Sequence, residues 1–437
     1  MWLGFVILSV VNVLNGFSYT VAYYVINEFA NVAIKDLYFP NVTLNSSDNV
    51  GCGDKNITAE EKHISDVVQE KVSQWSIYFS LGSGIPCLVA TSIFSSLSDR
   101  YGRKRLLFLS LLGICLKMVL CSFFIYYKFN IYYFVLVGFV EGCSGNWITV
   151  LSVSFAYVAD LTANGKYRSI AIAIYELVLN LGFYSGSLSA GLLIKYFNGY
   201  FYPSVISTAA IFLALVTVMF LPETSHDKNV VKNSNIFGQM KDLMRIFMKK
   251  SQNGDNLRLK YFFCITSLVC IWIPQIGGGS TELYYNLSYP ICFNAEDVSF
   301  YTAIKGSSQQ FITVMFIRIF QICDIRDETT AAVSCIFGIA HYVVYGFAKT
   351  KETLFIVAAI YTLKFACVPI LRSTMSKLTP GDKQGSVFGA IAFFENICSM
   401  CGSAMAGAVY SATVPIYKGF VFFVMAGFNF VASALIM

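Results

Sequence analysis

Apolar runs long enough to cross a lipid bilayer follow one another along the whole chain. A helix needs about 20 apolar residues to span the hydrocarbon core, and lipid offers the backbone no hydrogen-bond partners, so each run must fold as a helix. The runs lie near residues 3–25, 76–98, 106–127, 131–158, 169–194, 201–221, 260–285, 299–321, 331–348, 354–372, 386–409 and 418–437. Because 56% of the residues are hydrophobic and only 13% are charged, a soluble globular class is excluded. The sequence predicts an all-α membrane protein with twelve transmembrane helices.

A charged stretch, residues 222–259, divides these runs into two sets of six. We therefore predict an N-terminal six-helix bundle over 1–221, a central loop over 222–259 and a C-terminal six-helix bundle over 260–437. The first run begins at Met1 without a basic leader or a small-residue cleavage pattern. It is therefore predicted to be a helix and not a removable signal.

Basic residues identify the cytoplasmic face, because Lys and Arg are retained on that side of a membrane. They concentrate in alternate loops, at Arg100, Arg103, Lys104, Arg105, Lys166, Arg168, Lys377, Lys383 and seven positions of the central loop. The central loop is therefore predicted to be cytoplasmic, and the loop over 26–75 extracellular or lumenal. The net charge of +6 reflects this topology and gives no support to nucleic-acid binding.

The outer loop carries features of an oxidising, glycosylating compartment. Three acceptor sequons begin at Asn41, Asn45 and Asn56, where we expect N-linked glycans. Cys52 lies in the same loop and Cys292 in another outer loop, in opposite halves of the chain, which is compatible with a disulfide between them. The other eleven cysteines lie in or beside membrane segments, where small apolar packing residues are expected.

A charged motif, Ser95-Ser-Leu-Ser-Asp-Arg-Tyr-Gly-Arg-Lys-Arg105, joins the second and third apolar runs. Asp99 is expected to cap and pair at a helix end, Gly102 to make the tight turn, and Arg103 to reach a neighbouring helix. An ordinary positive-inside loop would explain the charge but not the spacing. The motif resembles the loop signature G-x-x-x-D-[RK]-x-G-[RK]-[RK] of the major facilitator superfamily, with Ser95 in place of the first glycine.

Longer stretches in both halves resemble one branch of that superfamily, the proton-coupled folate transporter family (solute carrier family 46), and its lysosomal branch in particular. They are Gly145–Trp147, Phe155–Asp160, Tyr285–Cys292, Leu371–Lys377, Gln384–Phe388, Ile391–Glu395, Val409–Thr413 and Lys418–Phe420. The resemblance implies the major facilitator fold, proton-driven import of organic anions, and a disulfide that falls on Cys52 and Cys292. Folates, conjugated steroids, muropeptides and cyclic dinucleotides are associated with the family, so it implies a substrate class only.

Ionisable residues inside the apolar runs are candidates for a transport pathway, since a charge in the bilayer is costly unless it pairs or faces water. They are Glu141, Glu176, Lys305, Lys364, Arg372 and Glu395. Lys364 and Arg372 are eight residues apart, so on an unbroken helix they share one face and could meet an anion at two depths. We predict Lys364, Arg372 and Lys305, together with Gln275 and Asn146, as substrate-binding residues.

Glu176 matches the family's proton-coupling acidic residue, so the resemblance implies that it carries the proton. A carboxyl group in a low-dielectric environment favours its neutral form, which suits that role. The alternative is a structural hydrogen bond, with Asn146 or Asn180 as partner. Glu141 and Glu395 are further proton-coupling candidates.

The seventh run contains Pro274-Gln-Ile-Gly-Gly-Gly-Ser280, which predicts an interrupted helix that gates the outer side. Pro274 and Gly277 are the gating residues of this prediction, and a simple kink is the alternative. By the resemblance, Gln275 stands where the folate transporter has a titratable histidine. This departure argues against folate itself as the substrate.

These features together predict a proton-coupled secondary active transporter of an organic anion, in the plasma or the lysosomal membrane. A membrane receptor or scaffold that keeps the fold without transport is the alternative. The sequence contains no metal-ligand cluster, nucleophile–base pair, phosphate loop or dinucleotide fingerprint in a suitable context, so we expect neither an enzyme nor a cofactor. Oligomeric state, substrate identity and proton stoichiometry are left open.

Overall fold

The computed structural model describes residues 2–40, 59–162, 166–224, 257–287, 291, 293, 295–413 and 416–437. In these ranges the regular structure is helical throughout. The α-helices are α1 Trp2–Tyr38, α2 Ala59–Tyr101, α3 Arg103–Tyr126, α4 Phe134–Cys143, α5 Asn146–Leu161, α6 Lys166–Phe197, α7 Phe201–Val218, α8 Leu257–Leu287, α9 Ala295–Ile322, α10 Asp327–Phe347, α11 Lys351–Lys364, α12 Cys367–Leu378, α13 Gln384–Thr413 and α14 Phe420–Ile436.

Ten helical spans in the described residues are long and apolar enough to cross a membrane, with α4–α5 and α11–α12 each counted as one span. The two remaining predicted runs are also helical. Helix α14 has 17 residues, and α9 is less apolar because Lys305, Gln309 and Gln310 lie within it. The prediction of an all-α membrane protein is confirmed.

The structure extends two helices into the predicted outer loop. Within 26–75, residues 26–38 belong to α1 and residues 59–75 to α2, and the outer location of this segment stays a prediction. In α1, Asn27 donates to the Tyr23 carbonyl (2.8 Å) and Asn31 donates to the Asn27 carbonyl (3.2 Å), each one turn earlier. Asn41, Asn45, Cys52, Asn56 and Cys292 lie outside the described residues, as does most of the central loop. The glycans, the disulfide and the loop's location stay predictions.

Helix breaks occur at two places that the sequence interpretation treated as continuous. Between α4 and α5, Gly145 has φ 86° and Asn146 has φ 54°, a left-handed conformation that glycine and asparagine tolerate best. Between α11 and α12, the Ser334 hydroxyl donates to the Leu363 carbonyl (2.8 Å) and accepts from the Cys367 amide (3.1 Å). One side chain thus satisfies two backbone groups that the break exposes.

The break predicted at Pro274 is absent, because α8 runs without interruption from Leu257 to Leu287. Proline removes a single N–H from the backbone ladder, and the glycines that follow it keep helical geometry. The interrupted-helix prediction is therefore wrong. A kink at Pro274 remains the alternative, and the gating role of Pro274 and Gly277 stays a prediction.

The chain divides into two compact units by its internal contacts. The first comprises Met1–Phe94, Arg103–Ser154 and Val178–Glu223, and the second comprises Ser95–Gly102, Phe155–Leu177 and Thr224–Met437. In the first unit α1 and α3 pack on α7, and the buried Ser18 hydroxyl donates to the Ser207 carbonyl (2.7 Å). These two units do not test the bundle boundaries predicted at residues 221 and 260, which stay a prediction.

Four tyrosines belong to the apolar core of the second unit, where α10 packs on α14 and α8 packs on α13 and α14. A buried tyrosine hydroxyl needs a partner. Tyr345 donates to the Asn286 side-chain oxygen (2.7 Å) and Tyr285 donates to the Ala348 carbonyl (2.7 Å). The second unit therefore contains a polar interior that can hold charges.

Candidate functional site

The charged motif forms a turn and caps a distant helix within the second unit. Gly102 has φ 101° between the end of α2 and the start of α3, as the tight turn requires. The Asp99 carboxylate accepts the amide hydrogens of Gly385 (2.7 Å) and Ser386 (2.9 Å) at the N-terminus of α13. The helix that Asp99 caps is therefore α13. Arg103 is buried in the first unit, and its amide donates to the Glu223 carboxylate (2.7 Å).

Helices α2 and α13 approach closely beside this cap. A side chain on Gly389 would place its Cβ 2.6 Å from the Cβ of Ser95, so both positions need small residues. The Ser96 hydroxyl lies 3.3 Å from the Ser386 hydroxyl. Ser95 is thus small enough for the close helix packing that the glycine of the signature allows.

Arg372 binds two carboxylates in the interior of the second unit. Its Nη1 donates to Glu176 and its Nη2 donates to Glu395 (2.6 Å). We call these three residues the Arg372 cluster. The side chains of Arg372 and Glu176 are each 4% exposed, and that of Glu395 is 11% exposed. Two ionised carboxylates and one guanidinium sum to a charge of −1, so the cluster has room for one proton.

Aromatic rings and an apolar crevice adjoin the Arg372 cluster. The guanidinium carbon lies 4.5 Å from the ring centre of Phe155 and 5.7 Å from that of Trp272. Trp272 and Glu395 also line a small crevice between α8 and α13. Its other lining residues are apolar: Ile265, Leu268, Val269, Ile391, Phe394 and Cys398. An amphipathic group could therefore place its charge and its apolar body in adjacent surroundings.

A second buried group, which we call the Lys364 cluster, consists of Glu282, Lys305, His341 and Lys364. Lys305 forms an ion pair with Glu282, and His341 Nε2 lies 3.7 Å from Glu282 Oε1. Lys364 donates to the Tyr342 hydroxyl (2.9 Å) and has no carboxylate within 4 Å among the described residues. One carboxylate and two ammonium groups sum to +1 with His341 neutral.

Tyrosine rings surround the lysines of this cluster. The Lys364 ammonium lies 4.2 Å from the ring centre of Tyr342 and 4.4 Å from that of Tyr361, while Lys305 lies 4.0 Å from Tyr361. Gln275 donates to the Tyr361 hydroxyl (2.5 Å). Cation–π contacts of this kind stabilise a buried ammonium without neutralising it. Lys364 thus has aromatic contacts and no counter-ion among the described residues.

The structure separates the two cations that the spacing argument placed on one helix face. Helix α11 ends at Lys364 and α12 begins at Cys367, so no unbroken helix joins Lys364 to Arg372. Lys364 contacts Tyr342, whereas Arg372 contacts Glu176 and Glu395. The prediction that Lys364 and Arg372 share one helix face is therefore wrong. The break at residues 365–366 interrupts the helical periodicity on which that prediction relied.

A third buried ion pair lies in the first unit. Lys117 of α3 binds Glu141 of α4 (2.7 Å), with side chains 6% and 1% exposed. The Lys117 ammonium also lies 5.3 Å from the Tyr19 ring centre and 5.7 Å from that of Phe79. Glu141 is thus charge-compensated within the described residues, a structural reason for a carboxylate in this run.

We expect this pair to stabilise the first unit only as a pair. Lys117→Met alone leaves a buried carboxylate without a counter-charge and should lower the free energy of unfolding by about 3–5 kcal/mol. The double variant Lys117→Met/Glu141→Leu should be close to wild type, since an apolar pair replaces the ions. Thermal unfolding in detergent measures both. If the double variant were as unstable as the single one, or lost the pH dependence of uptake, Glu141 would have a role beyond charge balance.

Asn146, predicted to bind substrate, has a structural position at the start of α5. Its Oδ1 accepts the Trp147 amide hydrogen (2.5 Å), and its Nδ2 lies 3.4 Å from the Ser83 hydroxyl. Substrate binding by Asn146 therefore stays a prediction. The described residues contain no group of three or more His, Cys, Asp or Glu that could hold a metal ion.

Sequence reasoning missed Lys117 and Glu282. Both are isolated charges inside the predicted runs 106–127 and 260–285, so the criterion that selected the other six would have found them. His341 was likewise not among the candidates, and a lone histidine in an apolar run gives no signal of the carboxylate that faces it. Glu282 is the residue that joins Lys305, His341 and Lys364 into one cluster.

Comparison with known proteins supports the family that the motifs indicate. The sequence model of the Major Facilitator Superfamily matches residues 7–403. The lysosomal proton-coupled steroid conjugate and bile acid symporter SLC46A3 of Homo sapiens is 26% identical over 392 residues, covering 89% of this chain and 84% of that protein. The proton-coupled folate transporter of Bos taurus is 25% identical over 379 residues, covering 85% and 80%. The predicted resemblance is confirmed.

Solved structures show the same fold. The human organic anion transporter MFSD10 superposes with a TM-score of 0.74 at 14% identity, covering 99% of this chain and 98% of its own. The proton:xylose symporter XylE gives a TM-score of 0.67 at 13% identity, covering 99% and 94%. The matched family and these relatives are transporters. The expectations of a multi-pass membrane protein and of a protein that is not an enzyme are confirmed on that ground.

Proposed function

The chain belongs to the Major Facilitator Superfamily, and on that premise we propose that it is a proton-coupled symporter of an organic anion. The observation that carries this proposal is the Arg372 cluster, in which one buried guanidinium binds two carboxylates. A buried charge without a partner costs several kcal/mol. A proton and an anion can therefore enter this cluster most readily together.

The exchange follows from the charges. With Glu176 and Glu395 ionised, the cluster carries −1 and repels an anion. Protonation of Glu176 makes the cluster neutral and releases the guanidinium hydrogens that the carboxylate accepted. The carboxylate, sulfate or phosphate of a substrate then accepts those hydrogens, because Arg binds such groups with two parallel hydrogen bonds. Lys364, with its uncompensated charge, provides a second attraction for the anion.

The surroundings favour an amphipathic anion. The crevice beside Trp272 and Glu395 is apolar but much smaller than the roughly 300–1,000 Å³ that enclose a drug-sized ligand. We expect it to widen around the apolar body of a substrate whose acidic group lies at Arg372. Among the relatives' substrates, steroid conjugates and bile acids have this form.

Transport towards the cytosol is the direction that we propose, because protons flow from an acidic lumen or exterior into the cytosol and carry the anion with them. The membrane is lysosomal or plasma membrane, with the central loop on the cytoplasmic side. A receptor or scaffold of the same fold is the alternative. The buried charges in the second unit favour transport, since a scaffold gains no stability from the seven ionisable groups of the two clusters, which apolar residues could replace.

Uptake into proteoliposomes containing the purified protein tests this function. Radiolabelled taurocholate, estrone sulfate and folate are offered with an outside pH of 5.5 or 7.4 and an inside pH of 7.4. We expect uptake of the two steroidal anions at pH 5.5 to exceed that at pH 7.4 about tenfold, and to collapse with a protonophore. Equal uptake at both pH values would exclude proton coupling, and no uptake or binding of any anion would favour the receptor.

A further inference from the structure

His341 is placed where both of its ring nitrogens face oxygen acceptors. It is fully buried in α10, with Nδ1 3.3 Å from the Val357 carbonyl oxygen of α11 and Nε2 3.7 Å from Glu282 Oε1 of α8. Nε2 makes no hydrogen bond to any described residue. A neutral imidazole carries one N–H, so it can donate to only one of the two oxygens. Only the protonated ring can donate to both.

Two lysines oppose that protonation. Lys305 and Lys364 already give the Lys364 cluster an excess charge of +1, and an imidazolium would raise it to +2 in a buried site. An excess of this size is unfavourable in low dielectric unless an anion is present. The geometry at His341 therefore suits a protonated ring, whereas the positive charge of the two lysines opposes the protonation.

We propose that Glu282 and His341 form a second proton-binding site, which takes up one proton when an organic anion whose acidic group lies at Arg372 is also attracted by Lys364. The anion supplies the negative charge that the two lysines lack. The proton enters between Nε2 of His341 and Oε1 of Glu282, and the imidazolium then donates to Glu282 and to the Val357 carbonyl. No other bond forms or breaks. This inference rests on the proposed function, since it requires that an organic anion binds.

The groups that face this site come from four helices. Helix α8 contributes Glu282, α9 contributes Tyr301 and Lys305, α10 contributes Tyr342 and Tyr345 with His341 itself, and α11 contributes Tyr361 and Lys364. Tyr342 also donates to the Pro274 carbonyl (2.9 Å). Glu282 is the carboxylate that these cations share. A bound proton and a bound anion therefore change each other's free energy of binding through the charge of this site. Opposite charges make them cooperate.

The consequence is a second coupled proton, separate from that of Glu176. A monovalent anion that enters with two protons carries a net charge of +1 across the membrane, whereas one proton would make transport electroneutral. Binding of the anion should accordingly take up about two protons in wild type and about one in a protein without this site.

Proton uptake on binding gives the test. Purified protein in weakly buffered detergent solution at pH 6 receives taurocholate, and a pH-indicator dye reports protons taken up per taurocholate bound. We expect wild type to take up about one proton more than Glu282→Gln or His341→Gln. Glu352→Gln is the control, because Glu352 is exposed at the start of α11, the helix that carries Lys364, and should match wild type. The pair variant Glu282→Gln/Lys305→Met removes both ions, and so separates loss of the site from loss of the fold.

A second readout does not depend on these variants. The chain has three histidines, so the double variant His63→Gln/His226→Gln retains His341 as its single histidine. With isotope-labelled histidine, taurocholate should convert the ring signals of this protein from neutral to imidazolium. Unchanged signals, or equal proton uptake by wild type and both single variants, would overturn this inference alone. Absence of any proton uptake in wild type would overturn the proposed function as well.

Discussion

Replacing Arg372 with alanine is expected to abolish anion binding and uptake at every pH, a loss of at least about 100-fold. In the proposed function the guanidinium binds the substrate's acid, and it is also the counter-charge of Glu176 and Glu395. Its removal leaves two buried carboxylates facing each other, which costs about 3–5 kcal/mol of stability or forces them to take up protons. Binding of taurocholate to purified protein at pH 5.5 and 7.4 measures the effect.

Loss of folding and loss of the site must be separated in this experiment. The triple variant Arg372→Met/Glu176→Gln/Glu395→Gln has no buried charge in the cluster and should regain the stability of wild type. It should nevertheless bind no anion. Arg372→Lys keeps the charge but offers a single ammonium, which cannot bridge two carboxylates as the planar guanidinium does, and should bind weakly. Anion binding by the triple variant would show that Arg372 has a structural role only.

The two carboxylates of the cluster should differ in function. Glu176→Gln is expected to lose the acid stimulation of net uptake but to keep exchange of internal for external anion, because the release of Arg372 no longer needs a proton. Glu395 lies at the edge of the apolar crevice and is more exposed, so Glu395→Gln should retain most of the pH dependence. The reverse pattern would move the coupled proton to Glu395.

Single residues show where sequence reasoning succeeded and where it could not. Apolar length predicted the spans, because lipid enforces helices wherever water is excluded. The motif predicted the turn at Gly102, since only its spacing requires a positive φ there. Pro274 of α8 led to the wrong prediction of an interrupted helix, because the loss of one N–H is a local defect that helix packing can compensate. The real breaks, at Gly145 and after Lys364, depend on partners such as Ser334 that are distant in sequence.

The sequence likewise could not predict which charged residues contact each other. Glu176 and Arg372 are 196 residues apart, and no periodicity links them. The sequence could identify both as costly in lipid and therefore as functional candidates. It could not tell that Glu395 binds the same guanidinium, which sets the cluster's charge at −1 and makes the uptake of one proton the natural event.

Replacing Asp99 with asparagine should slow transport about tenfold and leave the apparent affinity for the anion nearly unchanged. The Asp99 carboxylate holds the N-terminus of α13 through the amides of Gly385 and Ser386 and the Ser386 hydroxyl (3.0 Å). Asparagine has the same shape but lacks the charge, so its side chain loses charge-assisted hydrogen bonds and the attraction to the helix dipole. A loss of about 1–3 kcal/mol shifts the balance between the conformations of the cycle about 5–150-fold.

Ser96→Ala is the matched control for this variant, because it removes a neighbouring hydroxyl that faces the same Ser386 without changing the charge, and its rate should stay within about twofold of wild type. Hydrogen exchange at the start of α13 supplies a measurement independent of transport: the amides of Gly385 and Ser386 should exchange faster in Asp99→Asn and at the wild-type rate in Ser96→Ala. A large loss of affinity with a normal maximal rate would place Asp99 in the binding of substrate instead. Since Asp99 lies at the side predicted to be cytoplasmic, and its hydrogen-bond partners Gly385 and Ser386 belong to α13 and not to the Arg372 cluster, a rate effect is the one that its position supports.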